Sequence, residues 1–218
     1  MKMSIRTRIT ITVGGGLLAL LMINVIGVVR MREVNQQLRE MTEVNSVKQR
    51  YAINFRGSVH DRSIRVRDYV LLGNASDQKV VLSEIEELEQ FYLESEQLLN
   101  QMIASNTSVT QEERDMIAEI NQSKVFLTPF IENIISLMNQ DRRDEAHRIL
   151  MATARPEFQK WLDKINVYID YQEDNNQAIT SYLIQRSNSF QQLMTLITIL
   201  SGILGVLAFV WMIRSVRP

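Results

Sequence analysis

Residues 81–102 read VLSEIEELEQFYLESEQLLNQM. Apolar side chains stand at Val81, Ile85, Leu88, Tyr92, Leu99 and Met102, the alternating three- and four-residue steps that lay one apolar stripe along an α-helix. The spacing returns twice. One series runs Met116, Ile120, Leu127, Phe130, Ile134 and Leu137, with Ser123 in its polar slot. Another runs Phe158, Leu162, Ile165, Ile169, Ile179 and Leu183, with Gln172 and Asn176 at seam positions. Residues 74–201 contain no glycine. Tight hairpin turns need residues that accept positive φ, so this stretch argues against a sheet-rich fold.

The breaks between stripes are equally legible. Gly73-Asn74-Ala75-Ser76 predicts a C-cap glycine closing one helix and a capping serine opening the next. Asn106-Thr107-Ser108 predicts a loop, and Thr110-x-x-Glu113 a capping box. Asn139 to Arg143 reads as a polar turn and Asp144 to Met151 as a short extra helical piece. Pro156 suits the first turn of a last helix.

Two stretches are apolar all round. Ile9–Val29 is ITITVGGGLLALLMINVIGVV and Leu193–Ile213 is LMTLITILSGILGVLAFVWMI, each without a charge. At about 1.5 Å per residue either covers the roughly 30 Å hydrocarbon layer of a bilayer. The first is longer than a signal peptide's apolar core, and VVRMRE after it lacks a small-x-small cleavage pattern, so it reads as an uncleaved anchor. Ile9 to Gly73 forms a rod of roughly 97 Å and Pro156 to Ile213 one of about 87 Å. Two shorter helices, 76–105 and 111–139, fit between them. The expected fold is all-α: an up-down-up-down four-helix bundle with two transmembrane helices continuous with helices one and four. The chain divides into a cytoplasmic tail (1–8), a first span (9–29), an external bundle (30–192), a second span (193–213) and the start of a linker (214–218).

The chain has 24 bases and 25 acids, for a net charge of −1. Lys2, Arg6, Arg8, Arg214 and Arg217 sit at the ends without an acid, leaving 19 bases against 25 acids between them. That balance does not suit a nucleic-acid binder. Bases outside both spans place both termini in the cytoplasm by the positive-inside rule, and they outnumber Arg30 and Arg32 after the first span. Phe209 and Trp211 suit an interfacial aromatic belt. With no cysteine, disulfide scaffolds, thiol nucleophiles and cysteine-built metal sites are excluded. His60 and His147 are far apart and no HxxxH or HExxH occurs, so no metal and no cofactor are expected. No nucleophile–base–orienter arrangement is evident, so the chain does not read as an enzyme.

Helix one carries the candidate chemistry. At 100° per residue, Asn54, Ser58, Asp61, Arg65 and Asp68 form one stripe, expected to face solvent. Arg56, His60, Ser63 and Arg67 fall opposite, among Ile53, Val59, Ile64, Val66 and Val70, with Arg62 on the flank. Cations on an apolar face need a partner acid or an anion. They read as intrabundle ion pairs with an acid from another helix, as snorkelling arginines, or as a pocket in which guanidinium forks hold a small carboxylate. Counting from each border places Arg67 level with Arg155 and Pro156, so the N-terminus of helix four, itself attractive to anions, adds Thr153 and Arg155 to the candidate site. Gln172 and Asn176 read as a polar register lock or as ligand contacts. The acids Glu84, Glu86, Glu87 and Glu89 read as a solvated face.

A short tail, a span, about 160 external residues in four helices, a second span and Arg214-Ser215-Val216-Arg217-Pro218 together resemble the sensory half of a bacterial methyl-accepting chemotaxis receptor. Val59-His-Asp-Arg-Ser-Ile-Arg-Val-Arg-Asp-Tyr-Val-Leu71 is similar to the arginine-bearing stretch of the four-helix-bundle ligand-binding class, which also serves some sensor kinases and cyclases. The terminal IRSVRP resembles the opening of a HAMP linker, so an output module is expected downstream. The resemblance implies a homodimer in the bacterial inner membrane with a periplasmic sensor. It implies a small-molecule ligand, here an organic acid or similar anion, and a helix displacement passed through the second span. Its implied partners are a chemotaxis kinase and adaptor. In aspartate receptors of this class, arginines of helix one and groups at the start of helix four hold the ligand's carboxylates. The spacing 56–62–65–67 differs, so the region transfers and the ligand does not. A kinase or cyclase sensor, and a bundle that scaffolds partners or senses stress without a ligand, are the alternatives.

Overall fold

The computed structural model describes residues 5–106 and 109–216. Lys2, Thr107, Ser108, Arg217 and Pro218 lie outside them, as do the side chains of Arg6 and Arg8. All elements among the described residues are helical: α1 (Ile5–Arg39), α2 (Ser46–Leu71), α3 (Ala75–Ser105), α4 (Gln111–Asn139), α5 (Arg143–Ile149) and α6 (Arg155–Val216). A π-helical turn, Glu40–Asn45, joins α1 to α2, and a second, Leu150–Ala154, joins α5 to α6. Each π-turn accommodates one extra residue and leaves a carbonyl short of its usual donor. At the first, the Ser46 hydroxyl donates to the Met41 carbonyl at 2.7 Å.

The chain forms two compact units, one of residues Met41–Asn176 and the other of the segments up to Glu40 and from Gln177 onward. In the first unit, α2, α3, α4 and the chain from α5 through the early turns of α6 form an all-α four-helix bundle with short up-down-up-down connections. The seams read from the sequence are its core. Val81, Ile85, Tyr92 and Leu99 from α3, and Ile120, Leu127, Ile134 and Leu137 from α4, are all buried. Phe158 and Ile165 are buried as well, while Leu162 and Ile169 sit at the margin because Trp161 and Tyr168 take the centre. Phe55 stacks on Tyr92 with ring centroids 4.7 Å apart, and Tyr92 meets Trp161 at 5.2 Å, so one aromatic layer ties three helices together.

The second unit contains the two apolar runs. Both lie in helices long and apolar enough to cross a membrane, and none of either run's most apolar window is buried. Leu17, Leu21 and Val25 on α1 and Leu196, Leu204 and Val206 on α6 are exposed. Neither run is therefore a buried core helix. Beside them the Tyr182 hydroxyl donates to Glu33, which also pairs with Arg30 at 2.8 Å. Those contacts, Tyr182 first, hold the Glu33 carboxyl below the usual carboxylate range.

Three boundary readings are corrected. The cap opening α3 is Asn74, whose side chain accepts from the Asp77 N–H at 2.8 Å, and Ser76 is the second residue of the helix. Gly73 has no positive φ, because α2 ends on an extended Leu72 instead of a left-handed cap. Pro156 lies in the first turn of α6 but does not open a free helix end. The helical path begins at Arg143 and runs through α5 and the π-turn into α6, where the Arg155 N–H reaches the Leu150 carbonyl, five residues back. Pro129 lies inside α4 at an exposed position, and Val125, whose carbonyl its ring leaves without a helical donor, is exposed as well. The polar turn between α4 and α5 is observed, with Asp141 at φ 59°.

Candidate functional site

The orientation of α2 determines which of its polar side chains are free. The stripe expected in solvent faces α3 instead. Ser58 is buried and donates to the Leu88 carbonyl, Asn54 donates to Ser95 at 3.2 Å, and Arg65 Nε lies 2.9 Å from Glu84. The acids of α3 are what turn it: Glu84 and Glu89, read as solvated, are within reach of Arg65 and Arg62. Ala52, Phe55, Val59, Val66 and Val70 fill the inner side.

Consequently Arg56, His60 and Arg67 are exposed, not set on an apolar buried face. Of the candidate-site cations on α2, Arg62 is the buried one. Its side chain is 5% exposed, with Nη2 3.0 Å from Glu89 Oε1 and Nε without a partner. Burial lowers its pKa, opposed first by Glu89. Arg62 is thus engaged in an ion pair within the bundle. Its single half-exposed acid does not satisfy the whole guanidinium, and a buried pair of this kind adds little net stability.

His60, Ser63 and Arg67 line one groove with Arg155 of α6, a cavity of about 530 Å³. Four of the seven expected residues are thus brought together. Arg56 and Arg62 are not among its lining, and neither is Thr153, which is half-buried in the π-turn. The floor was not anticipated. Ile64, Leu150, Phe158 and Leu162 supply an apolar base and Met151 an exposed rim. Phe158 and Leu162 were legible only as seam residues. Their second role arises because the groove opens at the margin of the core. The π-turn that precedes α6 supplies Leu150 and Met151.

The electrostatics are uneven. Arg67 Nη2 lies 3.2 Å from Asp68 on the same helix, and Arg67 remains more than half exposed. Arg155 has no ion pair among the described residues. Gln159, also in the lining, donates to Asp163 at 2.9 Å, and the Ser63 hydroxyl donates to the His60 carbonyl at 2.6 Å. No helix terminus contributes: α5 and the π-turn run into α6 without a break and the Arg155 N–H is bonded to the Leu150 carbonyl, so no free N-terminal amides face the groove. The anion-attracting groups are side chains alone.

A second polar cluster is sealed in the bundle. Lys48 and Glu113 are 2% and 4% exposed, with Nζ 2.9 Å from Oε1. Tyr168 and Gln172 also donate to Glu113 Oε1, at 2.9 and 2.8 Å. The capping box is therefore half-realised. Thr110 accepts from the Glu113 N–H at 3.0 Å, but the glutamate side chain turns inward to Lys48. Gln172 belongs to this layer, and Asn176 donates to Ser46 at 3.3 Å, which favours the register-lock reading. Burial and the Glu113 charge raise the Tyr168 pKa. Among the described residues no group of three or more His, Asp or Glu is placed to hold a metal.

No curated protein and no solved structure matches the chain. A family model described as "Four helix bundle sensory module for signal transduction" matches residues 2–183. That family is a signal-transduction module, not an enzymatic domain. With its helical bundle and its two helices long and apolar enough to span a bilayer, the chain belongs to the family of four-helix-bundle sensory modules for signal transduction.

Proposed function

We propose that the chain is the sensory region of a transmembrane chemoreceptor, acting as a homodimer, whose groove between α2 and α6 binds a small organic anion. The observation that carries this is the pairing of Arg67 and Arg155 across one cavity, with His60 and Ser63 beside them. Guanidinium groups suit carboxylates because their fork matches two oxygens. Arg155, without an acid of its own among the described residues, offers its donors to a ligand at no loss of an existing pair.

One helix, Arg155–Val216, contains both the groove residues Arg155, Phe158 and Leu162 and the apolar run Leu193–Ile213. A ligand that prefers one position of α6 therefore biases the segment in the second span, and a few kcal/mol of differential affinity suffices to shift such an equilibrium. The basic ends, Arg6, Arg8 and Arg214 among them, favour both termini in the cytoplasm and the bundle in the periplasm of a bacterial inner membrane. The output is passed to a chemotaxis kinase and adaptor through a downstream region.

The test is isothermal calorimetry on the chain in nanodiscs with small carboxylates, comparing Arg67→Ala and Arg155→Ala. Each substitution is expected to weaken binding by about tenfold or more, the scale of a lost charge-assisted pair. Binding unchanged in both variants overturns the assignment of the groove.

A further inference from the structure

We infer that the ligand of this groove is a carboxylate with an apolar body and no ammonium group, an aromatic or branched oxo acid rather than an amino acid. This rests on the groove being the binding site and goes further, to the chemistry of its occupant. The groove has two guanidinium groups and no carboxylate among its lining side chains. Four acids flank the lining residues in sequence: Asp68 pairs with Arg67 and Arg65, Glu157 with Lys160, Asp163 accepts from Gln159, and Asp61 lines a separate groove with Glu84 and Glu87. An amino acid's carboxylate finds a partner here, but its ammonium finds two cations and no acid. The like charges are mutually unfavourable, and the ammonium gives up water without compensation.

The floor selects the rest of the molecule. Leu150 and Phe158 are each 3% exposed, so they form a fixed apolar surface. Met151 is exposed at the rim, where its unbranched thioether adapts to the shape of what it covers. A cavity of about 530 Å³ is far larger than a bare two- or four-carbon acid. Such an acid leaves Ile64, Leu162 and Met151 wet, whereas a ring or branched chain covers them and gains the burial.

The experiment compares ligands that differ in one group. The chain in nanodiscs is titrated with 4-methyl-2-oxopentanoate against leucine, phenylpyruvate against phenylalanine, and succinate. Both oxo acids are expected to bind about tenfold or more tighter than their amino-acid partners and than succinate. Met151→Ser and Leu162→Ala are each expected to weaken the oxo acids several-fold by removing apolar contact. Neither residue is deeply buried, so a folding failure in one leaves the other informative. If leucine and phenylalanine equal their oxo acids, or succinate binds tightest, and Arg67→Ala and Arg155→Ala still abolish binding, the groove stands and the inferred class is wrong. If no acid binds, or binding ignores both arginines, the groove reading itself falls and this inference with it.

Discussion

Replacing Lys48 with methionine isolates what the sealed polar layer does. The lysine ammonium lies 2.9 and 3.1 Å from the two oxygens of Glu113, and both side chains are almost wholly excluded from solvent. Methionine keeps the volume and removes the charge. Glu113 then retains only the Tyr168 and Gln172 donors, both neutral. Leaving one partner of a buried pair uncompensated costs about 3–5 kcal/mol. For the compact unit Met41–Asn176, an unfolding entropy of about 2.1 cal/mol/K per residue makes each kcal/mol worth about 3–4 °C, so Tm is expected to fall by roughly 10–17 °C. Lys48→Met/Glu113→Gln removes the orphaned charge while an amide oxygen still accepts from Tyr168. It is expected to recover at least half the loss, a coupling of about 2–3 kcal/mol. Trp161, in the core, reports unfolding by fluorescence once Trp211 is replaced by phenylalanine. A loss below about 1 kcal/mol for Lys48→Met, the range of exposed pairs, or strict additivity in the double variant, refutes the view of this layer as a desolvated, mutually dependent unit.

Three further outcomes follow from named contacts. Asn74→Ala is expected to destabilise α3 by about 1 kcal/mol and Ser76→Ala by a few tenths, because only the asparagine caps an N–H; thermal unfolding of the two variants side by side distinguishes the cap. The Tyr92 hydroxyl is buried without a hydrogen-bond partner among the described residues, so Tyr92→Phe is expected to stabilise the bundle by about 1 kcal/mol. Burial raises the Tyr92 pKa, which means the folded state holds the protonated phenol: its contribution is present below the ordinary tyrosine value near pH 10 and is lost as pH rises beyond it. Alkaline unfolding followed by tyrosinate absorbance should therefore start at higher pH in Tyr92→Phe than in the parent. Finally, the cysteine-free chain permits a clean topology test: a membrane-impermeant maleimide should label Asp141→Cys in intact cells and Ser215→Cys only after lysis, and the reverse pattern overturns the proposed orientation.

The seams of α3 and α4 and the two apolar runs were readable from residue order because each expresses one periodicity without competition. Val81, Ile85, Tyr92 and Leu99 can share only one helical face, and Leu193–Ile213 has no polar face at all. Helix α2 is different. Its polar residues lie on two sides, Asn54, Ser58 and Arg65 on one and Arg56, His60 and Arg67 on the other, so its own period does not say which side is covered. The acids and carbonyls of α3 decide, by engaging Arg62, Arg65, Asn54 and Ser58. That rotation exposes His60, Ser63 and Arg67 to the groove, and the π-turn ahead of Pro156 brings Leu150 and Met151 to its floor and rim. Local order thus determined the helices, their stripes and the membrane-length segments. Only the packed bundle determined which cations are buried and which line the groove, because that choice depends on partners distant along the chain.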